Sequence, residues 1–225
     1  MSKAKKSGFT DPCMALRSED LPHLHGLGRR ERRAAETRLR LFRCALRLYA
    51  ERGLPNVTVE DITEAADVGK GTFFNYFPSK DHVLGVLAEI QLGKVHEALD
   101  HAKSGKSSIQ SVFRRLVTAV TEEPGRSPEL ARALMSSFLA SRVVRERMQA
   151  NMAEGRRMIE QIVVIGQKRR EIDPKLKGKQ VALLLQQTFM GTVLMWSLHE
   201  GRKLQSVVEL SFRFFWRAIA VGKEE

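Results

Sequence analysis

Residues 58–80 read Thr58-Val-Glu-Asp-Ile-Thr-Glu-Ala-Ala-Asp-Val-Gly-Lys-Gly-Thr-Phe-Phe-Asn-Tyr-Phe-Pro-Ser-Lys80, and they carry the most specific structural signals in the chain. Its first four residues have the spacing of a capping box, in which a hydroxyl and an acid three residues later each accept from a backbone N–H. They predict the start of a short helix. Asp67-Val-Gly69 interrupts that helix, and a second short helix over 70–77 ends before Pro78, which cannot continue it. Two short helices joined by a tight turn form a helix-turn-helix.

The second short helix carries the side chains that a DNA-reading helix needs. Such a helix lies in the major groove and keeps one apolar side for packing on its own domain. Phe73 and Phe77 are four residues apart and are predicted to pack inward. Thr72 offers a methyl group to a thymine methyl, and Asn75 can make the paired hydrogen bonds that identify adenine. The predicted DNA-binding residues are Thr58, Lys70, Gly71, Thr72, Phe74, Asn75, Tyr76 and Lys80. Those suited to phosphate are Thr58, Lys70, Tyr76 and Lys80.

A longer helix precedes this motif over residues 29–52. Its apolar residues recur at helical spacing while arginines take the other face, and Gly53 is placed to end it in a left-handed turn. The aromatic run 73–77, taken alone, is more typical of a buried core than of a DNA contact. The order of elements favours the DNA-binding interpretation, because an arginine-faced helix, a glycine stop, a threonine cap and two short helices rarely occur together by chance.

Residues 41–53 and 58–80 closely resemble the DNA-binding domain of the tetracycline-repressor (TetR) family of bacterial transcription regulators. The resemblance implies an all-helical homodimer, whose N-terminal three-helix domain binds a palindromic operator and whose C-terminal domain holds a small ligand that releases the DNA. Two positions depart from the family pattern. Asp67 stands in the turn where the family usually has glycine, and Asp adopts left-handed conformations more readily than most residues. Gly69 stands where the family often has serine. Glycine is the weaker helix cap, and its presence removes one possible phosphate contact.

The rest of the sequence predicts helices only. It lacks the alternation of apolar and polar residues that is typical of strands, and it contains no internal repeats. We predict an all-α fold of about nine helices. Its parts are a flexible leader over 1–28, the helix-turn-helix domain over 29–80, and an effector-binding and dimerisation domain over 81–225. Helices of the last part are predicted over 79–102, 108–120, 128–138, 141–165, 173–199 and 204–221.

The last two predicted helices are apolar on more than one face, which indicates burial on several sides. A homodimer interface satisfies this, as the resemblance also implies, and an ordinary monomeric core is the alternative. For the small-molecule effector the resemblance implies only a location, between the middle helices and the penultimate one. Apolar candidates for its lining are Phe113, Met135, Phe138, Met152, Met158, Ile162, Phe189 and Trp196, each of which has core packing as its alternative role.

Composition sets the outer bounds on function. The chain has 225 residues and carries 38 Lys and Arg against 26 Asp and Glu, a net charge of +12 that favours nucleic acid over a membrane as partner. Nine arginines against three glutamates give residues 29–52 a charge of +6, while residues 53–80 carry −2. Basicity alone therefore does not locate the DNA-binding site. Two cysteines, Cys13 and Cys44, exclude a disulfide framework and indicate a reducing cytoplasm.

The sequence lacks the motifs that are typical of several functional classes. Residues 1–9 do not resemble a signal peptide, and the apolar run 181–198 is broken by polar residues, so no membrane partner is predicted. Gly69-Lys-Gly-Thr72 has the wrong order for a phosphate loop, and no enzyme motif is found. We predict no cofactor and no metal site, although His23 and His25 lie two apart in the leader.

The predicted function is a homodimeric repressor that a small apolar or amphipathic ligand releases from a palindromic operator. Alternatives are an activator or a co-repressor-dependent regulator of the same fold, a helical enzyme without a motif, and a protein-interaction module.

Overall fold

The computed structural model describes residues 28–199 and 201–222, and these residues confirm the all-helical prediction. The predicted leader, with Cys13, His23 and His25, lies outside the described residues except for Gly28. Nine α-helices are present in the described part of the chain: α1 Arg29–Arg52, α2 Val59–Ala65, α3 Lys70–Phe74, α4 Gly85–Ser104, α5 Ile109–Glu122, α6 Pro128–Ala140, α7 Arg142–Lys168, α8 Gly178–Ser197 and α9 Leu204–Ile219. Short 3-10 helices cover Leu54–Asn56, Lys80–Leu84 and Pro124–Arg126.

The junction of α1 and α2 follows the sequence signals closely. Gly53 ends α1 as predicted and donates its backbone N–H to the Tyr49 carbonyl. Its φ is 77°, but its ψ of 149° lies outside the left-handed helical region that the sequence predicts. Thr58 forms the predicted capping box. Its hydroxyl oxygen accepts from the Asp61 backbone N–H at 3.1 Å, and the Asp61 carboxylate accepts from the Thr58 N–H at 2.8 Å. Both contacts satisfy backbone donors that the first turn of α2 would otherwise leave unpaired.

The turn between α2 and α3 places Asp67 at a φ of 50°, the left-handed conformation expected at this position. Gly69 precedes α3 and makes no side-chain cap. The prediction that this helix extends to Phe77 is wrong by three residues, because α3 ends at Phe74. The Tyr76 N–H already bonds to the carbonyl three residues earlier, and Pro78 disfavours helical geometry in the residue before it.

Two other predicted helix starts are too early. Ser79 does not cap an α-helix, since its hydroxyl bonds the His82 ring and a 3-10 helix occupies Lys80–Leu84 before α4 begins at Gly85. Likewise, α8 begins at Gly178 rather than at Asp173. The Asp173 N–H donates to the Ile219 carbonyl, and its carboxylate accepts from the Lys175 N–H at 2.8 Å. These bonds hold the segment as a turn against the end of α9.

The helices enclose two hydrophobic cores. The first joins α1, α2, α3 and the first half of α4, and it is completed by Leu130 and Leu134 from α6 and Val144 from α7. The second joins the rest of α4 with α5, α7, α8 and α9. Packing of the first core therefore crosses the predicted domain boundary at residues 80–81, and α6 and α7 support the N-terminal domain directly.

Candidate DNA-binding surface and ligand cavity

Helix α3 is held on its domain by two aromatic side chains. Phe73 and Phe77 are 0% and 2% exposed, and their ring centroids lie 5.5 Å apart. Phe74 points outward with 55% of its surface exposed and contacts the edge of Phe73. The aromatic run thus divides as the sequence predicts, with a buried anchor on one side and an exposed surface on the other.

The predicted DNA-binding residues gather around this helix. Lys70, Gly71, Phe74 and Asn75 are exposed, and Thr72 and Tyr76 are half-buried beside them. A Cβ atom on Gly71 would meet nothing within 4 Å, so packing within the chain does not require glycine there. The outer side of α3 is therefore a small, uneven surface of one lysine, one amide and one aromatic ring.

Two of the residues predicted to bind phosphate are already paired within the domain. Lys70 forms an ion pair with Glu60 of α2, and both side chains are exposed. The Lys70 hydrogen bond lowers the pKa of Glu60, which stays ionised. The Thr58 hydroxyl donates to the Asp61 carboxylate at 2.7 Å, and this bond lowers the pKa of Asp61. Because Lys70 and Glu60 are exposed, the Lys70 ammonium can exchange its partner for a phosphate at little cost.

Lys80 occupies a different environment from the one predicted. Its ammonium donates to three backbone carbonyls, those of Leu54 at 2.9 Å, Pro55 at 3.3 Å and Val57 at 2.6 Å. A lysine ammonium has three donors, and all three are used here. The Tyr49 hydroxyl also donates to the Lys80 carbonyl at 2.8 Å. This geometry opposes the predicted phosphate contact, because Lys80 instead ties the loop before α2 to the segment after α3.

A cavity of about 760 Å³ lies between α4, α5, α6, α7 and α8. Four of the residues predicted to line an effector site do line it, and they are Met135, Phe138, Met152 and Phe189. The other four lie outside its walls. Phe113, Met158 and Ile162 are members of the second core, and Trp196 packs against that core and donates its ring N–H to the Arg202 carbonyl. Helix spacing alone does not distinguish these two groups, because both lie on apolar faces.

The cavity wall also contains polar residues that the sequence analysis did not select, among them Gln91, Asn151 and Arg147. Their sequence positions carry no separate signal, since isolated polar residues on a helix usually face solvent.

A cluster of ion pairs connects the cavity wall to the N-terminal domain. Arg38 of α1 makes a two-pronged contact with Glu89 of α4 at 2.8 and 2.9 Å, and Arg147 of α7 contacts the same carboxylate at 3.4 Å. Partial burial raises the pKa of Glu89, but its bonds to the two arginines outweigh that effect and lower it overall. The Arg38 guanidinium also lies 5.6 Å from the ring centre of Phe77. One arginine therefore contacts both the cavity rim and an anchor of α3.

Residues 41–87 match the family model described as bacterial regulatory proteins of the tetR family. The matched stretch includes α2, α3 and the packing partners that hold them. This domain belongs to the TetR family. Within the TetR-family domain, Asp67 supplies the positive φ of the turn without glycine, so this departure from the family pattern leaves the geometry intact.

Two known regulators are similar in sequence to parts of this chain. The regulator TcmR of Streptomyces glaucescens is 44% identical over 59 residues, which are 26% of this chain and 26% of TcmR. The repressor KstR of Mycolicibacterium smegmatis is 32% identical over 109 residues, or 46% of this chain and 51% of KstR. The chain thus spans about a quarter to a half of these two relatives.

The crystal structure of Thermus thermophilus FadR, a TetR-family repressor in complex with lauroyl-CoA, is similar in fold. It matches 83% of this chain and 97% of its own with a TM-score of 0.59 and 24% identity. The likeness extends the TetR-type fold beyond the TetR-family domain into the C-terminal helices.

The outer face of α8 and α9, which follow the TetR-family domain, is apolar and uncovered. Leu184, Met195 and Leu198 are 52%, 53% and 60% exposed, and Phe214 of α9 is 64% exposed. None of the helices in residues 28–199 and 201–222 is long and apolar enough to cross a membrane. Over the same residues, no group of three or more His, Cys, Asp or Glu side chains is placed to hold a metal ion.

Proposed function

We propose that this chain is a sequence-specific DNA-binding transcription regulator that acts in the cytoplasm as a homodimeric repressor. The observation that carries the proposal is the position of α3 in the TetR-family domain. Phe73 and Phe77 fix its inner side, while Lys70, Gly71 and Asn75 form an exposed outer side. A helix of this kind enters the major groove and reads base edges with its exposed side chains.

Each exposed residue has a chemical role in this proposal. Asn75 makes two hydrogen bonds to adenine, and the Thr72 methyl contacts thymine. Lys70, Thr58 and Tyr76 bind phosphate and set the position of the helix on the duplex. Gly71 lets the DNA backbone approach α3 closely, which agrees with the open space around its Cα atom.

The dimer in this proposal forms through α8 and α9. A palindromic operator needs two recognition helices about 34–36 Å apart, one turn of DNA, and two copies of the chain supply them. The exposed apolar residues of α8 and α9, such as Leu184 and Phe214, are a costly surface for a monomer and a suitable one for a helical interface.

The effector in this proposal binds in the cavity and lowers DNA affinity. A ligand that fills the cavity moves α4 and α7 relative to each other, which strains the contacts of Glu89 with Arg38 and Arg147. Arg38 also contacts Phe77, so the orientation of α3 depends on the same group. A hundredfold change in operator occupancy requires a preference of about 2.7 kcal/mol for the released state.

Asn75→Ala tests the reading of DNA sequence. We expect it to reduce discrimination between the operator and unrelated DNA by about 1–3 kcal/mol, with a smaller effect on general DNA affinity. Fluorescence anisotropy with the promoter beside the gene and a scrambled duplex measures both. Gln110→Ala, at an exposed position on α5, is the control. Equal losses on both duplexes would show that Asn75 reads no base, and a salt-independent affinity would exclude a DNA-binding protein.

A further inference from the structure

Two polar atoms in the cavity wall have no hydrogen-bond partner. They are the side-chain oxygen of Gln91 on α4 and the side-chain nitrogen of Asn151 on α7, and both are buried. The Gln91 amide cannot be turned to solve this, because its nitrogen donates to the Val120 carbonyl at 3.0 Å. Both residues line the cavity, so its wall holds one buried acceptor and one buried donor that nothing else in the described residues satisfies.

Buried polar atoms without partners are uncommon, because losing water without gaining a hydrogen bond is unfavourable. Gln186 in the same wall shows the usual arrangement. Its oxygen accepts from Arg156 at 3.1 Å, and its nitrogen donates to the Met152 carbonyl at 3.0 Å. Gln91 and Asn151 thus differ from a satisfied neighbour of the same chemistry, which indicates that a bound molecule completes their hydrogen bonds.

The carboxylate, arginine and histidine side chains of the wall argue against an ionic ligand, since each of those that the structure describes already has a hydrogen-bond partner. Glu89 holds both arginines, Glu146 accepts from Arg142 at 2.7 Å, and the Asp81 carboxylate accepts from the Ser141 hydroxyl. The His82 ring bonds the Ser79 hydroxyl at 2.8 Å. A charged ligand group would lose its water in this cavity and could gain a counter-charge only by competing with these bonds, which is unfavourable.

The rest of the wall is largely hydrocarbon, with Leu92, Leu116, Leu185 and Phe189 among its residues. We propose that the cavity recognises a neutral, mainly hydrocarbon molecule that carries a hydroxyl or an equivalent group able both to donate and to accept a hydrogen bond. The group donates to the Gln91 oxygen and accepts from the Asn151 nitrogen. This inference rests on the proposed function, because it names the chemistry of the effector that the cavity holds.

Four probes of similar length test the chemistry: n-decanol, methyl nonyl ether, decanoate and decylammonium. Each is titrated against the fluorescent probe N-phenyl-1-naphthylamine bound to the full chain, and the concentration that displaces the probe is measured. We expect n-decanol to act at about a tenfold lower concentration than the ether, which cannot donate, and at a lower one than either ion. Equal action of n-decanol and the ether, stronger action of either ion, or no displacement by n-decanol would overturn the inference.

Substitutions in the cavity wall test whether Gln91 and Asn151 cause the preference for n-decanol over the ether. Asn151→Leu and Gln91→Met should each remove most of the advantage of n-decanol over the ether. Met158→Leu, which lies on the same helix outside the cavity walls and removes no polar atom, should keep it. Asn151→Leu should melt at the wild-type temperature or above, because it removes a buried atom that has no partner. A retained advantage in both polar variants would contradict the assignment.

Operator binding, measured in parallel by anisotropy, separates the two levels of the proposal. Absence of operator binding in the wild-type chain with the n-decanol preference intact would refute the regulator and leave the cavity chemistry standing. Operator binding without any preference among the probes would refute the cavity chemistry alone.

Discussion

Replacing Lys80 by methionine distinguishes a structural lysine from a DNA-contacting one. The three carbonyls that its ammonium binds belong to the loop between α1 and α2, so Lys80→Met leaves them to water and separates that loop from the segment after α3. Hydrogen bonds to a charged group are each worth about 1.5–3 kcal/mol, and bonds that share one ammonium are not additive. We therefore expect the free energy of unfolding to fall by about 2–3 kcal/mol.

Two measurements follow from this number. Differential scanning fluorimetry should show a melting temperature lower by roughly 4–12 °C, since 1 kcal/mol corresponds to about 2–4 °C in a chain of this size. Operator affinity, measured well below that temperature at several salt concentrations, should keep its slope of log affinity against log salt. If Lys80 instead bound a phosphate in each copy of a dimer, its replacement would flatten the slope by about 1.8.

Lys70→Met is the matched control, because Lys70 is exposed and pairs only with exposed Glu60 in the described structure. It should change stability by less than about 1 kcal/mol and flatten the salt slope by about 1.8 per dimer. If Lys80→Met flattens the slope while its melting temperature stays at the wild-type value, the structural role argued for Lys80 is wrong.

Three further outcomes are expected. Glu89→Gln should cost at most about 1 kcal/mol of unfolding free energy, because Glu89 and Arg38 are both partly exposed, and it should weaken the effect of an effector on operator affinity. Because the pKa of Glu89 is lowered, its contribution is complete above the usual carboxyl range and is lost as pH falls through the lowered value. Chemical denaturation from neutral to acid pH should therefore show the two proteins converging, and a gap that widens in acid would contradict this. Phe214→Glu should yield a folded monomer in sedimentation, and an unchanged dimer would refute the α8–α9 interface. Thr58→Ala should lower stability by about 0.5–2 kcal/mol in urea denaturation, and no change would contradict the cap.

Local signals predict the helix-turn-helix well because its determinants act over a few residues. The capping box at Thr58, the stop at Gly53 and the left-handed Asp67 each depend on backbone geometry within one turn, and the structure confirms all three. Predictions fail where a distant partner decides the backbone. The turn at Asp173 is held by the end of α9, 46 residues further along the chain, and no local pattern announces that bond.

The same distinction separates the two candidate sites. Spacing alone assigns Phe73 of α3 and Phe77, four residues later, to the same buried side, because one helical turn fixes which side chains share a face. Cavity residues depend instead on how far neighbouring helices stand apart. Met152 and Met158 lie on the same helix with similar side chains, and only Met152 lines the cavity.

The all-helical fold, the helix-turn-helix and the residues exposed on α3 can be predicted from the sequence, because periodicity, caps and turns are properties of short segments. Three features appear only in the folded chain: the Lys80 ammonium donates to three carbonyls, Glu89 connects Arg38 to Arg147, and Gln91 and Asn151 each have a side-chain atom without a partner in the wall of one cavity. These facts depend on side chains brought together from far along the chain, where distance and desolvation decide which hydrogen bonds form.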